Sequence, residues 1–145
     1  MKTQVSTSDL AASLVSLSGQ LIRVVGAKTQ VAMSTTQARV LARLRDDGPQ
    51  RVTELARAER CTQPSMTTLV DRLARAGWAA KRADDADGRA VLVGITDEGL
   101  RQVAATKAAM AKVFEPHLEQ LDATQLEQLT SYTELLQRMM EDLDN

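Results

Sequence analysis

Residues 62–96 constrain this 145-residue chain more than any other stretch. They open with Thr62-Gln63-Pro64-Ser65, a threonine suited to cap a helix and a proline in the first turn, where a missing N–H costs no hydrogen bond. Met66, Leu69, Val70 and Leu73 follow at spacings of three and four, which is one face of a helix. Gly77 stands where such a helix needs a residue able to turn left-handed and stop. Residues 78–82 and 91–96 read as two strands, the second alternating through Val91, Val93 and Ile95. Between them lies a polar tip, Asp84-Asp85-Ala86-Asp87-Gly88-Arg89. A helix that must end at Gly77 and run directly into a hairpin leaves few folds open.

The sequence before it narrows the choice. Ser34 and Gln37 form a capping-box pattern for a helix over 34–47, with Val40, Leu41 and Leu44 as its buried face and Asp47-Gly48-Pro49 as its stop. A short helix over 52–59 follows, with Thr53 near its cap, and Arg60-Cys61 makes the turn into the helix that starts at Thr62. Two short helices, a tight turn and a hairpin make a winged helix-turn-helix.

Both ends of the chain are amphipathic helices. Residues 1–8 are polar and read as a frayed terminus. Leu10, Leu14, Leu17, Leu21, Val24 and Val25 then recur at three and four, with Gly26 as a stop. A long helix starts at Thr96-Asp97-Glu98 and is expected to end near Glu115, before Pro116. Asp122 and Gln125 cap a last helix carrying Leu126, Leu129, Thr133, Leu136, Met140 and Leu143. A domain this small cannot easily bury all these seams against itself, so they are expected to pair with a second copy as a two-fold homodimer. The alternative is that they pack on the chain's own core. The fold class is therefore mainly α with a small β-hairpin wing. One domain spans 1–145, with a winged-helix lobe over about 35–96 flanked by dimerisation helices over about 9–26 and 97–143.

Charge supports a nucleic-acid partner only through its distribution. The net charge is −1, yet residues 35–96 hold 11 Lys and Arg against 8 Asp and Glu, while residues 97–145 hold 4 against 10. No uninterrupted apolar run approaches the ~20 residues that span a bilayer, and no membrane partner is expected. A single histidine, His117, a single cysteine, Cys61, and the lack of a Gly-rich phosphate loop or a nucleophile–base set argue against an enzyme, a metal centre or a cofactor.

The pattern Gln63-Pro64-Ser65, Leu69-Val70-Asp71-Arg72-Leu73, Gly77-Trp78, Lys81-Arg82, Asp87-Gly88-Arg89 and Ile95-Thr96-Asp97-Glu98-Gly99 resembles the multiple-antibiotic-resistance-regulator (MarR) family of bacterial transcription factors, over residues 9–143. The resemblance implies a cytoplasmic, nucleoid-associated homodimer on a pseudo-palindromic operator of double-stranded DNA. It also implies a repressor, often released by a small anionic or phenolic effector bound between the dimerisation helices and the winged helix. Two positions depart from the pattern: Thr68 and Ala90 stand where many relatives carry a basic residue.

The chemistry assigns roles to residues of this chain. Gln63, Pro64, Ser65, Thr67 and Thr68 at the leading end of the reading helix are candidates for base edges in the major groove, with Arg72 one turn on. Arg89 at the wing tip is the candidate for the minor groove, with Asp87 expected to hold its guanidinium by a bidentate pair. Arg39, Thr53 and Arg82 are candidate phosphate contacts. One rival class and one variant stand beside this reading. A protein-interaction dimer could keep the winged helix with weak or no DNA binding. A thiol sensor could work through Cys61, otherwise expected to be an inert, half-buried residue.

Overall fold

The computed structural model describes residues 6–144. Its elements run α1 Thr7–Lys28, α2 Thr35–Asp46, β1 Gln50–Arg51, α3 Val52–Ala58, α4 Gln63–Arg75, β2 Ala79–Ala83, β3 Val91–Ile95, α5 Asp97–Leu118 and α6 Ala123–Asp144. The chain is mainly helical with one small antiparallel sheet, as expected. It divides into two compact units, the first closing at Met110 and the second opening at Ala111.

In the first unit, the core is aliphatic. Val40, Leu41 and Leu44 from α2, Leu55 from α3, Met66, Val70 and Leu73 from α4, and Val93 from β3 are buried together, with Trp78 and Leu69 packed against them. The low aromatic content requires such a core, because only Trp78, Phe114 and Tyr132 are present. The Ser34 capping box forms in full: Gln37 N–H donates to Ser34 Oγ, and Ser34 N–H donates to Gln37 Oε1.

Thr53 lies near the cap of α3, as expected. The N-cap of α3 is Arg51, whose backbone N–H donates to Glu54 Oε2 at 2.8 Å, and Thr53 lies inside the first turn. Arg51 also belongs to β1, a strand of two residues that was not expected. It pairs with β3, so the sheet order is β1-β3-β2 and the returning strand of the hairpin is central. Two residues are too few to show a period, which is why the strand was missed.

Helices α3 and α4 end alike. After α4, the Trp78 N–H reaches Leu73 O and the Gly77 N–H reaches Ala74 O, a Schellman motif with Gly77 at φ +77°. After α3, the Cys61 N–H reaches Ala56 O and the Arg60 N–H reaches Arg57 O. Here the left-handed position is filled by Arg60, at φ +53°.

The start of α5 is tied to the end of α4. Thr96 Oγ1 donates to Gly77 O at 2.6 Å and accepts from Gly99 N–H at 3.0 Å, and Thr96 N–H donates to Trp78 O. Gly99 is buried, and a Cβ there would lie 2.1 Å from Trp78 O and 2.8 Å from Ile95 Cγ1. The helix does not end before Pro116. It continues to Leu118, with Glu119 N–H bonded to Glu115 O. The proline falls in the last turn, so it removes only one hydrogen bond, to the Lys112 carbonyl.

Of the polar N-terminal stretch, residues 1–5 lie outside the described residues. Thr7 and Ser8 are already helical, capped by Ser6 Oγ accepting from Asp9 N–H at 3.2 Å. Only Val25 of α1 is buried; Leu10, Leu17, Leu21 and Val24 of the expected seam are exposed. By length and composition α1 is long and apolar enough to cross a membrane, with a mean hydropathy of 1.5 over its most apolar 18 residues. Ser13, Ser16, Ser18, Gln20 and Arg23 interrupt the apolar run without cancelling its average.

In the second unit, Asp122 and Gln125 exchange both bonds of a capping box at the start of α6. Its apolar stripe is open: Leu126, Leu129, Met140 and Leu143 are exposed, and Leu136 is half-buried.

Candidate nucleic-acid interface

The exposed face of α4 is polar because its apolar positions are all spent on the core. Gln63, Pro64, Ser65, Thr67, Thr68 and Arg72 are exposed, while Met66, Val70 and Leu73 are buried. Thr62 Oγ1 accepts from Ser65 N–H and donates to Ser65 Oγ at 2.8 Å. Thr67 and Thr68 each donate a hydroxyl proton one turn back, to Gln63 O at 2.9 Å and Pro64 O at 3.1 Å. Both hydroxyls therefore face solvent as acceptors, the form in which they can receive a base amino group.

Two grooves flank this helix. One, of about 420 Å³, lies between α4 and the hairpin and is lined by Thr53, Gln63, Thr67, Asp87 and Arg89, together with Arg51 and Lys81. The other, of about 390 Å³, lies between α4 and α2 and is lined by Ser34, Gln37, Ser65, Thr68 and Arg72. The sequence-derived candidates are thus split by the helix into a wing-side set and an α2-side set. Pro64 lines neither groove.

Three cations converge on the wing-side groove. Arg89 is exposed, and its guanidinium has no ion pair among the described residues. The expected bidentate pair with Asp87 is not formed. Asp87 Oδ1 instead accepts from the backbone N–H of Arg89 at 3.1 Å, because two residues of separation favour a turn bonded to the main chain. Lys81 is paired with Asp71 of α4, whose carboxyl is held below the usual range by that hydrogen bond. Arg51 donates from Nε to Asp84 Oδ2 at 2.7 Å. Asp84 is 8% exposed and also accepts at Oδ1 from the Ala86 N–H. The Ala86 amide first, and then the Arg51 guanidinium, hold its carboxyl below the usual range.

Lys81 and Arg51 were not among the candidates. Alternation along β2 carries Lys81 to the groove and turns Arg82 away, leaving Arg82 exposed and 3.7 Å from Asp85. That alternation was the signal that could have found Lys81. Arg39 is on neither groove: its Nε and Nη2 both donate to Glu59 Oε2, at 2.9 and 2.7 Å. Cys61 is exposed rather than half-buried: its N–H is tied back to Ala56 O, and its side chain stays outside the core of the first unit.

A separate cleft of about 990 Å³ opens among α1, α2 and the first half of α5. Ile22, Val31, Met33, Ala38, Val103 and Met110 give it an apolar lining, and Arg23, Arg39 and Lys107 bring three cations to it.

The MarR family model matches residues 33–91, the span that carries both grooves. An uncharacterized HTH-type transcriptional regulator of Mycobacterium bovis, Mb0904, is 30% identical over 93% of this chain and 92% of its own length. The transcriptional regulator Tm0710 from Thermotoga maritima superposes with a TM-score of 0.73 at 21% identity, over 94% of this chain and 96% of that one. Bordetella bronchiseptica BpsR, a protein whose DNA binding is regulated by 6-hydroxynicotinic acid, superposes with a TM-score of 0.58 at 22% identity, over 90% and 98%. The exposed polar reading helix, the wing and the full-length relative lead to one conclusion: the chain belongs to the MarR family of winged-helix, DNA-binding transcriptional regulators.

Proposed function

We propose that this regulator acts in the bacterial cytoplasm as a homodimeric repressor on a pseudo-palindromic operator, released by a small anionic or phenolic effector. The observation that carries the DNA reading is the shared groove of Gln63, Thr67, Thr53 and Arg89, which joins the leading end of α4 to the wing tip. In this reading Gln63, Ser65, Thr67 and Thr68 meet base edges, with Pro64 against a thymine methyl. Arg72 and Thr53 meet the backbone, as Lys81 and Arg82 can from β2. Arg89 enters the minor groove, where the potential is most negative. Asp87 shapes the tip that presents it. The lobe carries modest charge, so its grip needs two copies, about 34–36 Å apart on successive major grooves.

The open apolar stripes of α1 and α6 support the dimer, since Leu17 is 62% exposed and Leu143 is 84% exposed. The effector reading rests on the cleft among α1, α2 and α5, whose apolar walls and three cations suit an aromatic acid, and on the regulation of BpsR by such an acid. The test is a titration of the purified protein against the DNA upstream of its own gene, at several salt concentrations, with and without 6-hydroxynicotinate. A salt-dependent complex weakened by the acid is expected. No complex would favour the protein-interaction dimer, and a complex indifferent to this and other aromatic acids would remove the effector.

A further inference from the structure

We propose that Arg39 couples the α1–α2–α5 cleft to the reading helix, because a cleft-bound anion and Glu59 compete for the same guanidinium. The proposal rests on the reading of that cleft as an effector site. Arg39 is the one cleft cation already engaged. Its Nε and Nη2 both bond to Glu59 Oε2, whereas Arg23 and Lys107 form no ion pair among the described residues. The two partners are unequally solvated: the Arg39 side chain is 58% exposed and that of Glu59 is 7% exposed.

That asymmetry fixes the direction of the effect. Arg39 can turn to a carboxylate in the cleft and remain hydrated. Glu59 cannot stay where it is, because a nearly buried carboxylate without its counter-charge is strongly unfavourable. The end of α3 must open to let water in. Glu59 is the C-cap of α3, and the turn beyond it already carries Arg60 in the left-handed region. Thr62, three residues on, caps α4 and orders Ser65 at the leading end of the reader. Loss of the Arg39–Glu59 pair therefore loosens the residues that set the pose of Gln63 and Ser65.

The competition can be read without DNA. In Glu59→Gln the rival charge for Arg39 is gone, so 6-hydroxynicotinate should bind at least about fivefold tighter than to the unaltered protein, and Arg39→Gln should bind it at least about fivefold more weakly. Uptake that is equal in all three proteins, or found in none, overturns the proposal. Cys61, the single cysteine and exposed in this turn, provides a second readout. A spin label there should become more mobile when the acid is added to the unaltered protein, should already be mobile in Arg39→Gln without it, and should stay ordered with or without it in Glu59→Gln, which has no carboxylate to strand. Unchanged mobility in the unaltered protein overturns the coupling. Glu59→Gln also separates this role from a direct phosphate contact: coupling through the Glu59 carboxylate predicts DNA binding of ordinary strength that the acid no longer weakens, and a freed phosphate contact predicts tighter binding. If the acid binds in the predicted order but leaves DNA affinity unchanged, the effector reading fails while the competition stands.

Discussion

Arg51 and Asp84 are 33 positions apart, yet they join the first residue of a helix-turn-helix element to the base of the wing through Nε–Oδ2 contact at 2.7 Å. Arg51 is at once the partner of Leu92 in β1 and the N-cap of α3. Asp84 is nearly buried and also orders the tip through the Ala86 amide. The wing is therefore fixed to β1 and the start of α3 by a charged pair as well as by the strand ladder.

This pair makes the wing acid-sensitive. The Asp84 carboxyl is held below its unfolded value of about 3.9. Its contribution to stability is complete above that value and is lost as pH falls through the lower folded one. Asp84→Asn should flatten that share of the acid limb, seen by denaturant unfolding between pH 6 and pH 2. An unaltered acid limb would mean that the pair does not stabilise the fold.

Arg89→Ala should weaken operator binding by about 1–3 kcal/mol and lower the salt slope by about one. Thermal stability should not move, since Arg89 is exposed and bonded only through its backbone N–H. A gel-shift series over several salt concentrations checks both parts, and unchanged affinity would remove Arg89 from the interface.

Gly99→Ala tests a steric requirement rather than a conformational one. Its Cβ would meet the Trp78 carbonyl, a backbone atom that cannot swing aside. A loss of roughly 1–3 kcal/mol or more is expected from overpacking, read as a lowered unfolding midpoint. Wild-type stability would show that α5 can shift at its start.

The two matching helix ends predict changes of opposite sign. Gly77 has open space around its missing Cβ, so Gly77→Ala should cost about 1–2 kcal/mol from the left-handed backbone alone. Arg60→Gly, at the equivalent position after α3, should gain up to about 1 kcal/mol. Calorimetry on both variants decides the matter, and a destabilised Arg60→Gly would show that the arginine side chain outweighs its strain.

Leu17→Glu in α1 and Met140→Glu in α6 should each shift the protein from dimer towards monomer in sedimentation, with DNA affinity falling accordingly. A monomeric unaltered protein would remove the dimer. Capture of that monomer by lipid vesicles would assign α1 to a bilayer surface instead.

The fold was legible wherever local chemistry acts alone. Ser34 with Gln37, Asp122 with Gln125, Thr62 with Pro64, and Gly77 each announce a boundary through bonds made within a few residues. Elements defined by distant partners were not legible. β1 exists because Val93 and Leu92 lie beside Gln50 and Arg51. Arg51–Asp84 and Arg39–Glu59 form because the fold closes, and no spacing encodes them. For the site, the candidate residue types were legible, but their division between two grooves was not, because it depends on α2 and the hairpin lying on opposite sides of α4. Asp87 shows the opposite failure: a pair plausible by charge was displaced by a nearer main-chain donor.

Trp78 is the sole tryptophan, and it packs against the core where α4 ends, with its carbonyl receiving the first bond of the α5 cap. Evolution has thereby left an optical reporter at the joint between the reader and the long helix. Its emission can be followed in unlabelled protein, in real time and at nanomolar concentration. A change at that joint on loading DNA or a small acid would appear as a shift in colour or intensity, distinct from the signal of a label at Cys61.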